Sequence, residues 1–284
     1  LHNLKTIDVQ FPLHSLCVVS GVSGSGKTTL VKQVLYNALL KAKSLPTEIV
    51  GGYNAISGDL HLIDQIEMVD QNPIGKSSRS NPVTYIKAYD AIRDLYSKQA
   101  LSKIRGFLPK HFSFNVDGGR CDTCKGEGEQ LVEMQFLADV HLTCEDCGGK
   151  RFKETVLEVQ YKGKNIYEVL EMSVDEAIAF FSEEKNIVFA ISPLQEVGLG
   201  YVKLGQSSST LSGGEAQRVK LASFLGKGKA SNKMLFIFDE PTTGLHFHDI
   251  HKLLKAFNAL IDQGHSLIVV EHNTDIIKVA DWVI

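Results

Sequence analysis

Eight residues near the start of the chain constrain its fold more than any others. Gly21-Val22-Ser23-Gly24-Ser25-Gly26-Lys27-Thr28 follows a short apolar run, Leu16 to Ser20, of strand length. After it, Thr28 to Lys43 places Leu30, Val34, Leu35, Ala38 and Leu39 on one side, as a helix would, with Pro46 beyond its end. Strand, glycine loop and helix in that order make a phosphate-binding loop and predict an α/β fold on a mostly parallel sheet. Gly21, Gly24 and Gly26 let backbone N–H groups turn towards phosphate oxygens, and the helix N-terminus adds a favourable dipole. Lys27 is expected to reach the β- and γ-phosphates of ATP, and Thr28 to hold Mg²⁺. Ser25 and Thr29 complete the nucleotide-binding stretch.

The partner carboxylates come late. Leu235-Phe236-Ile237-Phe238 is an apolar run fit for a buried parallel strand, and Asp239 and Glu240 follow it. Ligands of open α/β sheets bind at the carboxyl ends of strands. Asp239 is expected to meet the metal, and Glu240 to act on the attacking water as general base or orienting group. Gln71 and His272 also follow apolar runs, Ile66 to Asp70 and Ser266 to Val270, and are candidates for the same catalytic edge.

The cysteines carry a second signal. Five in 284 residues are too few for a disulfide scaffold. Four form two Cys-x-x-Cys pairs, Cys121/Cys124 and Cys144/Cys147, with nineteen residues between the pairs. That spacing predicts a structural Cys₄ zinc site holding one Zn²⁺. Glycines trail each pair and let the chain turn around a metal. A thioredoxin-like redox motif needs only one such pair. The stretch Gln130 to Phe136 between them partly alternates, as a hairpin strand would. Cys17 lies in the strand before the phosphate loop and reads as a packing residue.

No apolar run approaches the eighteen or so residues of a membrane span, and no signal peptide is visible. Zinc-type cysteines favour a reducing compartment, so a cytoplasmic location without a membrane partner is expected. The formal net charge is −3, which gives no global nucleic-acid signal. Any DNA contact must come from local patches. Candidates are Lys76, Arg79, the acid-free stretch holding Lys98, Lys103, Arg105 and Lys110, and Arg120, Lys150, Arg151 and Lys153 near the cysteines.

Leu211-Ser212-Gly213-Gly214-Glu215 resembles the signature of ABC-type ATPases, and Pro241-Thr242-Thr243-Gly244-Leu245 continues the pattern after Glu240. Gln71 then resembles the Q-loop glutamine and His272 the switch histidine. In ABC proteins the tip of the signature helix faces the γ-phosphate on another nucleotide domain. The resemblance therefore implies that Ser212, Gly213 and Gly214 serve a second ABC half, and that this chain is an incomplete ATPase alone.

A narrower resemblance covers essentially the whole chain. Gly21 to Thr29, Asp70-Gln71-Asn72-Pro73-Ile74-Gly75-Lys76, Arg79-Ser80-Asn81-Pro82, the cysteine quartet, Leu211 to Leu221 and Asp239 to His246 resemble the C-terminal ABC half of the UvrA family of excinuclease subunits. Glu215 stands where generic ABC proteins carry Gln, as in that family. The resemblance implies ATP-dependent recognition of damaged double-stranded DNA, loading of UvrB through a docking segment outside this chain, and a homodimer. A drug-resistance paralogue shares these motifs. A transporter nucleotide domain lacks the zinc module and the long insertion, and a DNA-binding zinc module with a vestigial ATPase would not keep every Walker residue intact.

Motif order sets the expected organisation. Residues 1–74 and 210–284 form an ATP-binding core, and 75–209 an insertion with a zinc module at about 115–152. Within these, Asn3 to Val9 reads as a first strand, Thr84 to Leu101 as helix, Thr155 to Tyr161 as an alternating strand, and Ser173-Val174-Asp175-Glu176 as a capping box opening a helix. The start at Leu1, not Met, and the end at Ile284 read as an excised half of a larger protein, or as a protein trimmed to its ordered region.

Overall fold

Five apolar stretches scattered along the chain become one parallel sheet in the computed structural model, which describes residues 4–48, 52–75, 77, 79–132, 140–226 and 232–284, without the side chains of Phe247 and His248. In chain order the strands are β1 (Leu16–Val19), β2 (Gln65–Val69), β3 (Glu129–Val132), β4 (Val140–Thr143), β5 (Gln160–Tyr161), β6 (Lys164–Asn165), β7 (Met234–Asp239), β8 (Ser266–Val270) and β9 (Trp282–Val283). The chain divides into two compact units. One comprises 1–72, 196–198 and 212–284, and the other 73–195 and 199–211.

The first unit holds the sheet, ordered β2-β7-β8-β1-β9, with every pair parallel. Its central strands are buried along their length, which is why they read as continuous apolar runs and not as alternation. Cys17, Val19, Leu235, Ile237, Ile268 and Val270 share one face and pack with Val31 and Leu39 of the segment after the phosphate loop. The neighbouring residues of β7 point the other way. Phe236 meets Phe224 of the helix Gly213–Leu225 at 4.9 Å between ring centroids, and Phe238 meets Phe257 of the helix Phe247–Asp262 at 4.8 Å. Burying each such ring contributes roughly 1.5–3 kcal/mol.

Register then aligns the strand ends. Val19 pairs with Val270, Val270 with Asp239, and Phe238 with Val69. The segments that follow β1, β8, β7 and β2 therefore leave from one edge. The helix expected after the phosphate loop exists in two windings, a π-helix over Thr29–Tyr36 and an α-helix over Asn37–Ala42. The strand expected at Asn3 to Val9 does not form among residues 4–9. Side chains 5–8 are exposed and Thr6 has a φ of 41°, so that stretch has no face to bury and no extended run.

The second unit is helical around an aromatic core of Tyr89, Tyr96, Phe112, Phe114 and Phe152, in which Tyr89 Oη donates to the Phe112 carbonyl at 2.6 Å. The single helix expected over Thr84 to Leu101 is three, Pro82–Tyr85, Tyr89–Ser97 and Ala100–Ile104. Asn81 caps the first by accepting from Thr84 N, and Lys87, at φ 63°, breaks the chain before the second. The strand expected at Thr155 to Tyr161 is instead a helical turn, Glu154–Leu157, before β5, which pairs with β6. Val156, Leu157 and Val159 are buried together, a spacing that a turn of helix satisfies and a strand does not. The Ser173 capping box is present, with Ser173 Oγ accepting from Glu176 N at 3.2 Å and Glu176 Oε2 from Ser173 N at 2.8 Å. No helix among the described residues is long and apolar enough to cross a membrane.

Candidate functional site

The phosphate loop starts where β1 ends. Gly21, Gly24 and Gly26 all have positive φ, and at Gly26 it reaches 104°, a conformation that a side chain would strain. Lys27 is only 9% exposed. Its Nζ donates to the carbonyls of Gly21 at 2.8 Å and Val22 at 3.0 Å, and no carboxylate partners it among the described residues. A buried ammonium held by carbonyls alone leaves its charge for an anionic ligand. Thr28 and Asp239 line one small cavity of about 10 Å³ together with Lys32. Burial pushes the Asp239 carboxyl up, and the charges of Glu240, Asp70 and Glu271 push it further, with only Lys32 opposing. A hydroxyl beside a carboxylate crowded by like charge is a donor set that suits a hard divalent cation.

The three candidate catalytic residues meet. Gln71 Nε2 donates to the Glu240 carbonyl at 3.3 Å. His272 Nε2 lies 3.4 Å from Glu240 Oε1. Glu240 N donates to the Val270 carbonyl at 2.9 Å, and the Glu240 backbone is left-handed at φ 46°, a strained state that aims its side chain off the strand end. Ser212 caps the helix Gly213–Leu225 through a reciprocal pair. Its Oγ accepts from Glu215 N at 3.3 Å, and Glu215 Oε2 accepts from Ser212 N at 2.7 Å. A Cβ on Gly214 would lie 2.6 Å from the Thr243 carbonyl, and one on Gly213 2.9 Å from Gln71 Cβ. The signature glycines thus pack against the segments carrying Gln71 and Glu240.

The four paired cysteines converge in the second unit. Their sulfurs all lie within 4.8 Å of one another. Cys121 Sγ is 3.9 Å from Cys144 Sγ, and Cys124 Sγ 3.7 Å from Cys147 Sγ. Zn–S bonds of 2.3 Å in a tetrahedron set neighbouring sulfurs about 3.8 Å apart, so the quartet can bind zinc. Gly128 N donates to Cys124 Sγ at 3.3 Å. Burial pushes the Cys147 thiol up to about 12, with Cys124 and Cys144 adding to the rise, so a bound cation would favour its thiolate. The pairs sit at the open end of the β3–β4 hairpin. Of the expected strand Gln130 to Phe136, β3 includes Gln130–Val132, and 133–136 lie outside the described residues. Cys17 is fully buried in the sheet core, its thiol pushed up to about 12 by burial.

No family model matches the chain. It is 50% identical over 283 residues to UvrABC system protein A of Streptomyces avermitilis, and 50% identical over 287 residues to that of Thermus thermophilus. It is also similar to the solved structure of UvrA2 from Deinococcus radiodurans, at 44% identity and a TM-score of 0.87 over the whole chain. Over its whole length the chain is thus similar to UvrA proteins. It spans 28% and 30% of the two curated relatives and 33% of the solved chain. The α/β fold, with the parallel sheet in the first unit, is the one it shares with that solved structure.

Three positions near the site escaped the sequence pattern. Gln217 Nε2 donates to the carbonyls of Val69 at 2.7 Å and Asp239 at 3.2 Å, tying the signature helix to the ends of β2 and β7. Lys220 Nζ bonds the Asp70 carbonyl at 3.1 Å and its carboxylate at 2.5 Å. Glu271, beside the switch histidine, is buried. A polar residue in the apolar phase of a helix was the available signal for Gln217; nothing local marks the other two. The basic candidates are largely engaged. Arg79 pairs with Glu127 at 3.0 Å, Lys98 with Asp94, Arg105 with Glu158, Arg120 with Asp117 and Lys153 with Asp122. Arg151 lies over the Phe114 ring. Lys103, Lys110 and Lys150 make no ion pair among the described residues, and Lys76 lies outside them.

Proposed function

We propose that this chain is the C-terminal ATP-binding and ATP-hydrolysing half of a UvrA-type DNA-damage sensor. Its ligands are ATP with Mg²⁺ at residues 21–29 and Asp239, and a structural Zn²⁺ at Cys121, Cys124, Cys144 and Cys147. Its partners are a second ABC half, a second copy of the protein, damaged double-stranded DNA and UvrB, with the cytoplasm as its compartment. The observation that carries this is the meeting of Lys27, Asp239, Gln71, Glu240 and His272 along one sheet edge, in a chain half identical to repair-system proteins. That identity favours repair over drug resistance or transport.

Each residue then has a task. Lys27 draws the β- and γ-phosphates into the loop, and its two carbonyl contacts keep the ammonium in place before ligand arrives. Thr28 and Asp239 would hold Mg²⁺, which would supply charge neutralisation at the β- and γ-phosphates. Glu240 takes the proton of the attacking water, and His272 and Gln71 orient the reacting groups. Hydrolysis yields ADP and inorganic phosphate. Lys27→Ala should weaken ATP binding about 10- to 100-fold, the loss of one charge-assisted contact. Glu240→Gln should leave binding within about threefold and slow turnover by about 10²–10⁴. Fluorescent-nucleotide titration beside phosphate release measures both. Equal loss of affinity in the two variants would contradict the assigned roles.

A further inference from the structure

Glu271 is 2% exposed, and its carboxylate has no cationic partner among the described residues. It is held by four donors instead. Oε1 accepts from Thr242 N at 2.8 Å and from the Thr242 hydroxyl, and Oε2 accepts from His272 N at 2.7 Å and Asn273 N at 3.0 Å. Its own N–H donates to Val19, the last residue of β1, at 3.1 Å. One buried residue thus joins three segments: its backbone N–H holds the strand entering the phosphate loop, and its carboxylate holds the turn after Glu240 and the turn bearing His272. Asn273 continues the chain of contacts by accepting from Asp275 N at 2.8 Å, capping the helix Thr274–Lys278.

Burying an unpaired charge costs several kcal/mol unless fixed donors replace its water. Four donors do so here, and three are backbone N–H groups whose places are set by the fold. We infer that Glu271 is a positioning residue for ATP hydrolysis: it spans the turns after β7 and β8 and thereby sets the approach of His272 to Glu240. The two side chains it serves are each about half exposed and have few other restraints. Thr242 lies two residues past Glu240, and His272 is the next residue after Glu271, so both ends of the 3.4 Å contact hang on the same carboxylate. An amide in its place has one acceptor oxygen for two of the donors and turns an NH₂ towards the other two.

This rests on the ATPase reading above, and the test separates the two. Wild type, Glu240→Gln, Glu271→Gln, His272→Ala and the Glu271→Gln/His272→Ala pair are compared in the full chain for ATP–Mg²⁺ affinity, kcat and melting temperature. Glu271→Gln should lower kcat about tenfold or more with affinity held within about threefold, and should add less than about twofold once His272 is gone. Thr242→Val removes one donor from the far end and should lower kcat about threefold or more, with binding kept. Unchanged kcat in either variant, multiplicative losses in the double mutant, or affinity falling in step with the melting temperature would overturn the inference. A Glu240→Gln variant as fast as wild type would instead overturn the ATPase reading itself.

Discussion

Asp70 carries two opposed influences on a single carboxyl. Burial pushes its pKa up, but the hydrogen bond and charge of Lys220, the Asn72 N–H and the charge of Lys32 together hold it below the ordinary carboxylate value. A carboxyl depressed in the folded state stabilises that state while ionised. The contribution is complete above the unfolded value, about 3.9 for Asp, and is lost as pH falls through the lower folded value. Asp70→Asn should therefore flatten the acid end of the stability profile and lower stability near neutrality. Urea midpoints measured from neutral to strongly acidic pH read this directly, and parallel curves for mutant and wild type would remove the pair from the linkage. Lys27, Asp239 and Glu240 could be read from the sequence because a motif fixes their spacing against a strand end. Lys220 and Glu271 could not, because their partners lie 150 and 29 residues away and only the sheet register brings them together.

At the scale of elements, four of the five strands of the sheet and the signature helix were legible because each is an apolar run or a capped helix with a sharp start. The misread pieces are those whose burial pattern depends on tertiary neighbours. Thr155 to Tyr161 alternates in sequence, yet its buried set follows a helical turn, and Asn3 to Val9 finds no partner strand among residues 4–9. The cysteine module was legible because metal chemistry fixes its spacing. Cys121 N bonds the Arg151 carbonyl at 2.8 Å and Cys144 N the Gly128 carbonyl at 2.9 Å, so both knuckles are tied at their bases while the sulfurs face each other. Zinc binding is folding energy in such modules. Metal analysis of the purified chain should return about one zinc per chain. Cys144→Ser should leave less than about half an equivalent and lower the melting temperature by several degrees. Full zinc content in that mutant would mean the metal sits elsewhere.

For the molecule as a whole, the phosphate-loop residues and the signature residues occupy one unit of one chain, and the ABC-type resemblance implies that they serve two different nucleotides. Ser212 is exposed at its helix tip, where its N–H donates to Glu215 and its Oγ accepts from Glu215 N, which fixes the tip and leaves the hydroxyl proton to donate. The tip is thus already formed, and the half-site proposal has it meet a phosphate bound on another copy. Turnover of this chain should then depend on meeting a second one. Phosphate release per chain, followed across a wide dilution series with saturating ATP–Mg²⁺, is the most direct measurement. Turnover per chain should rise with concentration, and Ser212→Arg should abolish the rise while nucleotide affinity stays within about threefold of wild type. Turnover per chain that is flat across dilution and indifferent to Ser212→Arg would mean a catalytic site complete within one chain, and the half-site proposal would be wrong.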